Sequence, residues 1–270
     1  QGNDRIGQLI FQNIDRHNIP YDIAKISVEL PVVKDERDAA YVNMEANKAI
    51  LELRRNGGGP AHINILTICS GDFSVKELPQ VRAFRRVQAW DPMPDMPQGS
   101  ICVYVGSHVQ FTPSQVEALE RFCTTHDAIV ICDHTSGYYG RYRLLPTLSQ
   151  LQSVPTLFET FDLMIHIGEV SAATFAGTVP VKAIWRVSED GELRDPFKKL
   201  TTVFQMSETF FFNHYAVEGS DKHDAIDRYR AAFGEIYNHI PELPFSNIWT
   251  ASQPSRRLPE DPLFHISAST

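Results

Sequence analysis

The sequence predicts an α/β fold in which a parallel β-sheet is covered by helices on both faces, Rossmann-like in plan, with a partial α/β unit ahead of it. The apolar segments Ile101–Val105, Ala128–Asp133, Leu163–Ile167 and Val181–Val187 are continuous rather than alternating, the mark of strands buried on both sides. Segments with helical spacing separate them and supply the covering layers. With 270 residues, 43% of them hydrophobic, the chain can bury one substantial core, or one and a partial second.

Along the chain, Ile6, Leu9, Ile10 and Ile14 recur at helical spacing within Asp4–Asn18. An extended run, Ile26–Leu30, is closed by Pro31. Asp35–Asn56 reads as a long helix whose apolar face is Ala39, Val42, Ala46, Ala49, Ile50 and Leu53, with Arg54 and Arg55 at its negative end. Gly57-Gly58-Gly59-Pro60 stops it, and the strand Ala61–Leu66 follows. Prolines 92, 94 and 97 then interrupt any periodicity, so residues 71–99 are expected to be a linker. After strand Ile101–Val105, Thr112-Pro113-Ser114-Gln115 is a capping box with proline in the first turn, and it opens a helix that runs to His126. Helices are also expected at Ser207–Tyr215, His223–Ile240 and Ser246–Ser252. The resulting division is an α/β remnant at 1–70, the linker, a Rossmann-like domain at 100–217, and a helical connector with the first strand of a further domain at 218–270. Gln1 leads directly into a helical pattern, and Phe264–Ser267 starts a strand at the other end. A fragment of a longer chain is therefore expected.

A formal net charge of -8 argues against nucleic acid or an anionic membrane as partner. Arg82, Arg85 and Arg86 form a local basic cluster, expected to be a solvated face. Cys69, Cys102, Cys123 and Cys132 lack zinc or redox spacing, and Cys102 and Cys132 fall within strands. A reduced, cytoplasmic setting is expected. No apolar run approaches a membrane span.

Open α/β sheets bind ligands at the carboxyl ends of their strands. Here that edge carries Gly106, Ser107, His134, Thr135, Ser136 and Gly168, a candidate ligand crevice whose plainer reading is tight turns that need glycine. No G-x-G-x-x-G is present, so a dinucleotide site has no support. The ten histidines make no metal-binding pair, and a metal within the chain is not expected. His62, His166 and His265 lie in strands and read as structural. Asp133 and His134 are expected to point apart, as neighbours on an extended strand do. Arg141 and Arg143 read as a solvated loop.

Arg54-Arg55-Asn56-Gly57-Gly58-Gly59-Pro60-Ala61-His62-Ile63-Asn64-Ile65 resembles the G-P-V-H-I-N-x-P stretch that closes the pyrimidine-binding domain of thiamine-diphosphate-dependent enzymes. Gln12-Asn13-Ile14-Asp15 ahead of Ile26–Pro31 is similar to Q-A-I-R ahead of S-I-S-L-P in the menaquinone-pathway 2-succinyl-5-enolpyruvyl-6-hydroxy-3-cyclohexene-1-carboxylate synthases. Acetolactate-synthase-like enzymes are related. Ile165–Gly168, Asp195-Pro196 and Leu258–Phe264 resemble later landmarks, the last being the approach to the diphosphate-binding domain. The resemblance implies the central domain of such an enzyme. The whole enzyme would use thiamine diphosphate and Mg²⁺ on a small 2-oxo acid, decarboxylating it before addition to an acceptor or release, as a homodimer or tetramer.

It also implies that this fragment alone binds no cofactor and is inactive. The G-D-G…N motif that holds Mg²⁺ is absent, as is the glutamate expected early in the pyrimidine-binding domain. Gln12 is the one active-site residue the resemblance carries over, near the reactive carbon. Where those synthases have T-G-K-R, this chain reads Gly168-Glu169-Val170-Ser171, with an acid and no cation. A dicarboxylate substrate would want a basic partner there, so a paralogous carboligase or decarboxylase is favoured. The rival expectation is a non-catalytic nucleotide-binding or regulatory module using the crevice.

Overall fold

The computed structural model describes residues 19–68, 71–146, 157–170, 179–238 and 241–255. Gln12, the helix expected over Asp4–Asn18, His265 and the motif Leu258–Phe264 lie outside them.

Two sheets form. Strands β1 (Ile26–Leu30) and β2 (Ala61–Ile65) pair in parallel, with Ile26 opposite Ala61, and α1 (Glu36–Glu52) connects them. Asp35 caps α1 by accepting the Arg37 and Asp38 amides at 2.8 and 2.9 Å. The helix ends earlier than its apolar spacing suggests. A 3-10 turn takes over at Arg55–Gly57, where Asn56 has φ 46° and no longer permits helix.

The second sheet has seven strands, all parallel, as the continuous apolar runs predict. Its members are β3 (Arg85–Gln88), β4 (Ile101–Val105), β5 (Ile129–Cys132), β6 (Arg143–Leu144), β7 (Phe161–Ile167), β8 (Val181–Val187) and β9 (Leu200–Gln205), in spatial order β3-β9-β8-β7-β4-β5-β6. The chain leaves β4 towards β5 and later returns to the other side of β4 with β7, so the order in which strands are added reverses between β4 and β7 while all stay parallel. β4 is buried along its whole length. Strand β3 falls inside the proline-rich stretch read as a linker, and it makes one edge of the sheet.

Helix α2 (Pro113–His126) starts with the capping box in place: Gln115 Oε1 accepts the Thr112 amide at 2.9 Å, and Thr112 Oγ1 accepts the Gln115 amide at 3.4 Å. Helix α3 (Glu208–Tyr215), capped by Ser207, packs against α2. Phe122 meets Phe212 at 5.2 Å between ring centres, and Phe211 meets Phe204 of β9 at 4.9 Å edge-on. Each such ring contributes roughly 1.5–3 kcal/mol by leaving water. Helix α4 (Asp224–Asn238) adds Tyr229 and Phe233, which close on Phe158 at 5.3 and 5.6 Å. Helix α5 (Asn247–Ser255) follows. Among the described residues no helix is long and apolar enough to cross a membrane.

The two sheets are stitched together by polar contacts. Asn47 of α1 accepts the Phe84 amide at 3.0 Å through Oδ1. Arg86, expected to be solvated, is instead buried, donating to the Leu51 and Gly191 carbonyls at 3.0 and 2.9 Å. A guanidinium in that position is a clamp between α1, β3 and the loop after β8.

Candidate functional site

The turns after β4, β5 and β7 do meet at the carboxyl edge, as the sequence suggests, and most of their polar capacity is spent on one another. Ser107 and Glu169 form an antiparallel bridge, the Ser107 amide donating to the Glu169 carbonyl at 2.6 Å and the Glu169 amide to the Ser107 carbonyl at 3.0 Å. The His108 amide donates to the Thr135 carbonyl at 3.0 Å. The glycines are there for space and dihedral angle. A Cβ on Gly106 would stand 2.0 Å from the Glu169 carbonyl oxygen, and Gly168 adopts φ 71°. The crevice between β4 and β7, where a doubly wound sheet opens, is thus bridged by backbone.

At the next turn, Asp133 is buried and its Oδ1 accepts from the Thr135 amide and hydroxyl at 2.8 and 2.9 Å. The same oxygen meets His134 Nδ1 at 3.0 Å. These neighbours were expected to point apart. They do not, because β5 ends at Cys132 and the chain is already turning. His134 remains largely exposed.

A cavity of about 400 Å³ lies beside this seam, over the ends of β7, β8 and β9. Gly168 and Glu169 form one wall, Arg186, Ser188 and Asp190 the floor, and His108, Gln115 and the first turn of α3 the opposite side. Of the predicted crevice residues only Gly168 lines it.

Its electrostatics come from residues far apart in sequence. Tyr104, His166 and Arg186 sit side by side on β4, β7 and β8. His166 is buried against the rings of Tyr104 and Phe197, and burial with the adjacent Arg186 charge lowers its pKa to about 3, so the imidazole is neutral. Arg186 donates to the Gly168 carbonyl at 3.0 Å and to Glu169 Oε1 at 2.9 Å. Arg194 reaches the same carboxylate oxygen at 3.0 Å and Asp190 at 2.8 Å. The turn that reads as an acid without a cation therefore carries two, delivered by β8 and the loop after it.

Opposite, His108 Nδ1 faces the Val109 carbonyl at 2.6 Å and Nε2 faces Glu208 at 3.3 Å. Both neighbours are acceptors, and the Glu208 contact outweighs burial in raising the His108 pKa. The protonated ring satisfies both.

Arg141 and Arg143 are more engaged than a solvated loop implies. Arg141 donates to the Tyr142 hydroxyl at 2.8 Å, and Arg143 lies over the Tyr139 ring. The strand histidines are structural as expected where described, His62 pairing with Ser27 at 2.9 Å. Sequence reasoning missed Arg186, Arg194, His108 and Glu208. The available signal was Arg186 itself, a cation at the end of the apolar run Val181–Val187, where burial needs a partner.

Among the described residues no group of three or more His, Cys, Asp or Glu side chains is placed to hold a metal ion. They do not fit Mg²⁺-bridged diphosphate, and no catalytic step is assigned to them.

No family model matches the chain. It is 24% identical over 286 residues to the 2-succinyl-5-enolpyruvyl-6-hydroxy-3-cyclohexene-1-carboxylate synthase of Bacteroides thetaiotaomicron, covering 98% of this chain and 50% of that protein. Synthases of the same name from Phocaeicola vulgatus and Bacteroides fragilis match at 24% and 25%, with 98% of the chain covered in each case and 50% and 51% of the relative. The chain spans about half the length of the curated relatives it matches. Along nearly its whole length, then, it is similar to these synthases, and the resemblance to this thiamine-diphosphate-dependent family that its motifs carry is borne out.

Proposed function

We propose that this chain is the middle portion of a thiamine-diphosphate- and Mg²⁺-dependent cytoplasmic enzyme that decarboxylates a small 2-oxo acid and passes the remaining fragment to an acceptor. One observation carries the reading: the match to the synthases is collinear over 98% of the chain, not confined to a motif. In this reading residues 1–70 close a pyrimidine-binding domain, 71–99 link and lend β3 to the large sheet, 100–217 form the rest of the central domain and 218–270 lead towards the diphosphate-binding domain. Gln12 stands near the reacting carbon. The whole enzyme is a homodimer or tetramer, and the 270 residues alone are inactive.

In this reading the described residues supply scaffold and spacing for a cofactor held by other parts of the enzyme. The synthases' own substrates are not transferred to this chain. Glu169 occupies the turn where a basic residue is expected, and its two arginines are already engaged with it. This favours a paralogous carboligase or decarboxylase. The bridge between Ser107 and Glu169 weighs against the rival nucleotide-binding module, since it fills the crevice such a ligand would enter.

The test is to express the complete reading frame that contains this chain and measure CO₂ release from a panel of 2-oxo acids. Release that requires both thiamine diphosphate and Mg²⁺ is expected; no thiamine-dependent turnover of any acid overturns the proposal. In parallel, calorimetry of the 270-residue chain should give no micromolar binding of thiamine diphosphate with Mg²⁺. Such binding would refute the scaffold role.

A further inference from the structure

Helix α5 is nine residues long, and among the described residues none of its apolar side chains belongs to the core or packs against it. Helices shorter than about 12–15 residues are marginal in water without tertiary contact, because too few backbone bonds follow the costly first turn. The start of α5 is nonetheless well made. Ser246 Oγ accepts the Trp249 amide at 3.2 Å, and the Ser246 carbonyl accepts the Thr250 amide at 2.8 Å. Phe245, just ahead of that cap, lies 5.2 Å from the Trp249 ring between centres.

Phe245, Ile248 and Trp249 stand three and four positions apart, on one side of the first turn. Phe245 is 87% exposed and Ile248 69%. An apolar face so placed needs a cover, and its charge limits what the cover is. Residues 241–255 contain Glu242 and no lysine or arginine, so an anionic membrane or a nucleic acid has nothing there to hold. Polypeptide is the remaining choice, and the relatives carry it: the matched part is 50–51% of each synthase, which leaves about as much chain outside the match as within it.

We propose that the face formed by Phe245, Ile248 and Trp249 docks on an apolar surface of the domain that follows in the whole enzyme, so that α5 is the first helix of that domain and the connector ends before it. The inference rests on the reading of 218–270 as the approach to a further domain.

Amide hydrogen exchange over 245–255 is compared between the 270-residue chain and the protein expressed from its complete reading frame. Exchange in the complete protein should be slower by about a hundredfold or more. Ile248→Ala should lower the Tm of the complete protein by several degrees and leave that of the 270-residue chain unchanged, while Ile248→Leu, which keeps the apolar surface, should match the parent in both. Equal exchange in the two proteins overturns the docking. So does protection that appears in the 270-residue chain and grows with its concentration, which would assign the face to a second copy. Thiamine-dependent CO₂ release from a complete protein whose α5 stays unprotected would sink this inference and leave the proposed function standing; protection without such release would do the reverse. A reading frame that ends near Thr270 overturns both.

Discussion

Gly106 has no room for a methyl group, because its missing Cβ is replaced by the carbonyl of Glu169 across the seam. Gly106→Ala must therefore push β4 and β7 apart, at about 2 kcal/mol or more. For a chain of this size that is a fall of roughly 4–8 °C in Tm by thermal unfolding. Ser107→Ala, on an exposed side chain, should leave Tm unchanged. His108 makes a second prediction. Its pKa is raised in the fold by Glu208, so the stability it contributes is complete below its ordinary value near 6.5 and fades as pH rises through the raised pKa. Urea midpoints of the parent chain and His108→Gln should differ most at acidic pH and converge at alkaline pH. A gap that widens with pH would contradict the pairing. His166 has the opposite sign: neutral in the fold, it takes a proton only on unfolding, so it favours the unfolded chain as pH falls below 6.5.

Among elements, the docking of α3 on α2 and β9 depends on one ring. Phe211 is fully buried, with Phe204, Phe212 and Tyr215 all within 5.5 Å between ring centres. Phe211→Ala should cost about 3–5 kcal/mol, read from the urea midpoint. Phe210→Ala, on the exposed side of the same helix, should cost well under 1 kcal/mol. Both helices were legible in sequence, the first from the capping box of Thr112 and Gln115, while the cap that Ser207 gives the other is seen in the structure. Strands β3, β6 and β9 were not. Arg85-Arg86-Val87-Gln88 and Leu200–Gln205 mix polar with apolar residues, and β6 is two residues long. Each becomes a strand because a neighbour offers its backbone groups, which no local pattern records.

For the molecule as a whole, the small β1–β2 sheet is held to the large one through α1 and its 3-10 turn. Arg55 pairs with Glu192 at 2.5 Å and with Glu52 at 3.3 Å, and also donates to the Asp190 carbonyl. Arg86 and Asn47 complete the seam. Arg55→Ala should speed amide hydrogen exchange in α1, β1 and β2 by several-fold while leaving β4, β5 and β7 protected, since those strands lie deep in the main core, which α1 meets at its margin through Met44 and Leu51. Uniform acceleration across both sheets would mean that they unfold as one unit.

Hydrophobic continuity, the capping residues and the order of motifs were enough to establish a parallel α/β sheet and the likeness to thiamine-diphosphate-dependent synthases, because those signals are local or collinear. The cavity was decided by tertiary structure alone. Its arginine arrives from β8, its histidine from the turn after β4, and its glutamates from the turn after β7, the loop after β8 and the first turn of α3. Register between parallel strands places Arg186 beside His166 and beneath Glu169, and register is a property of the sheet, not of any one segment.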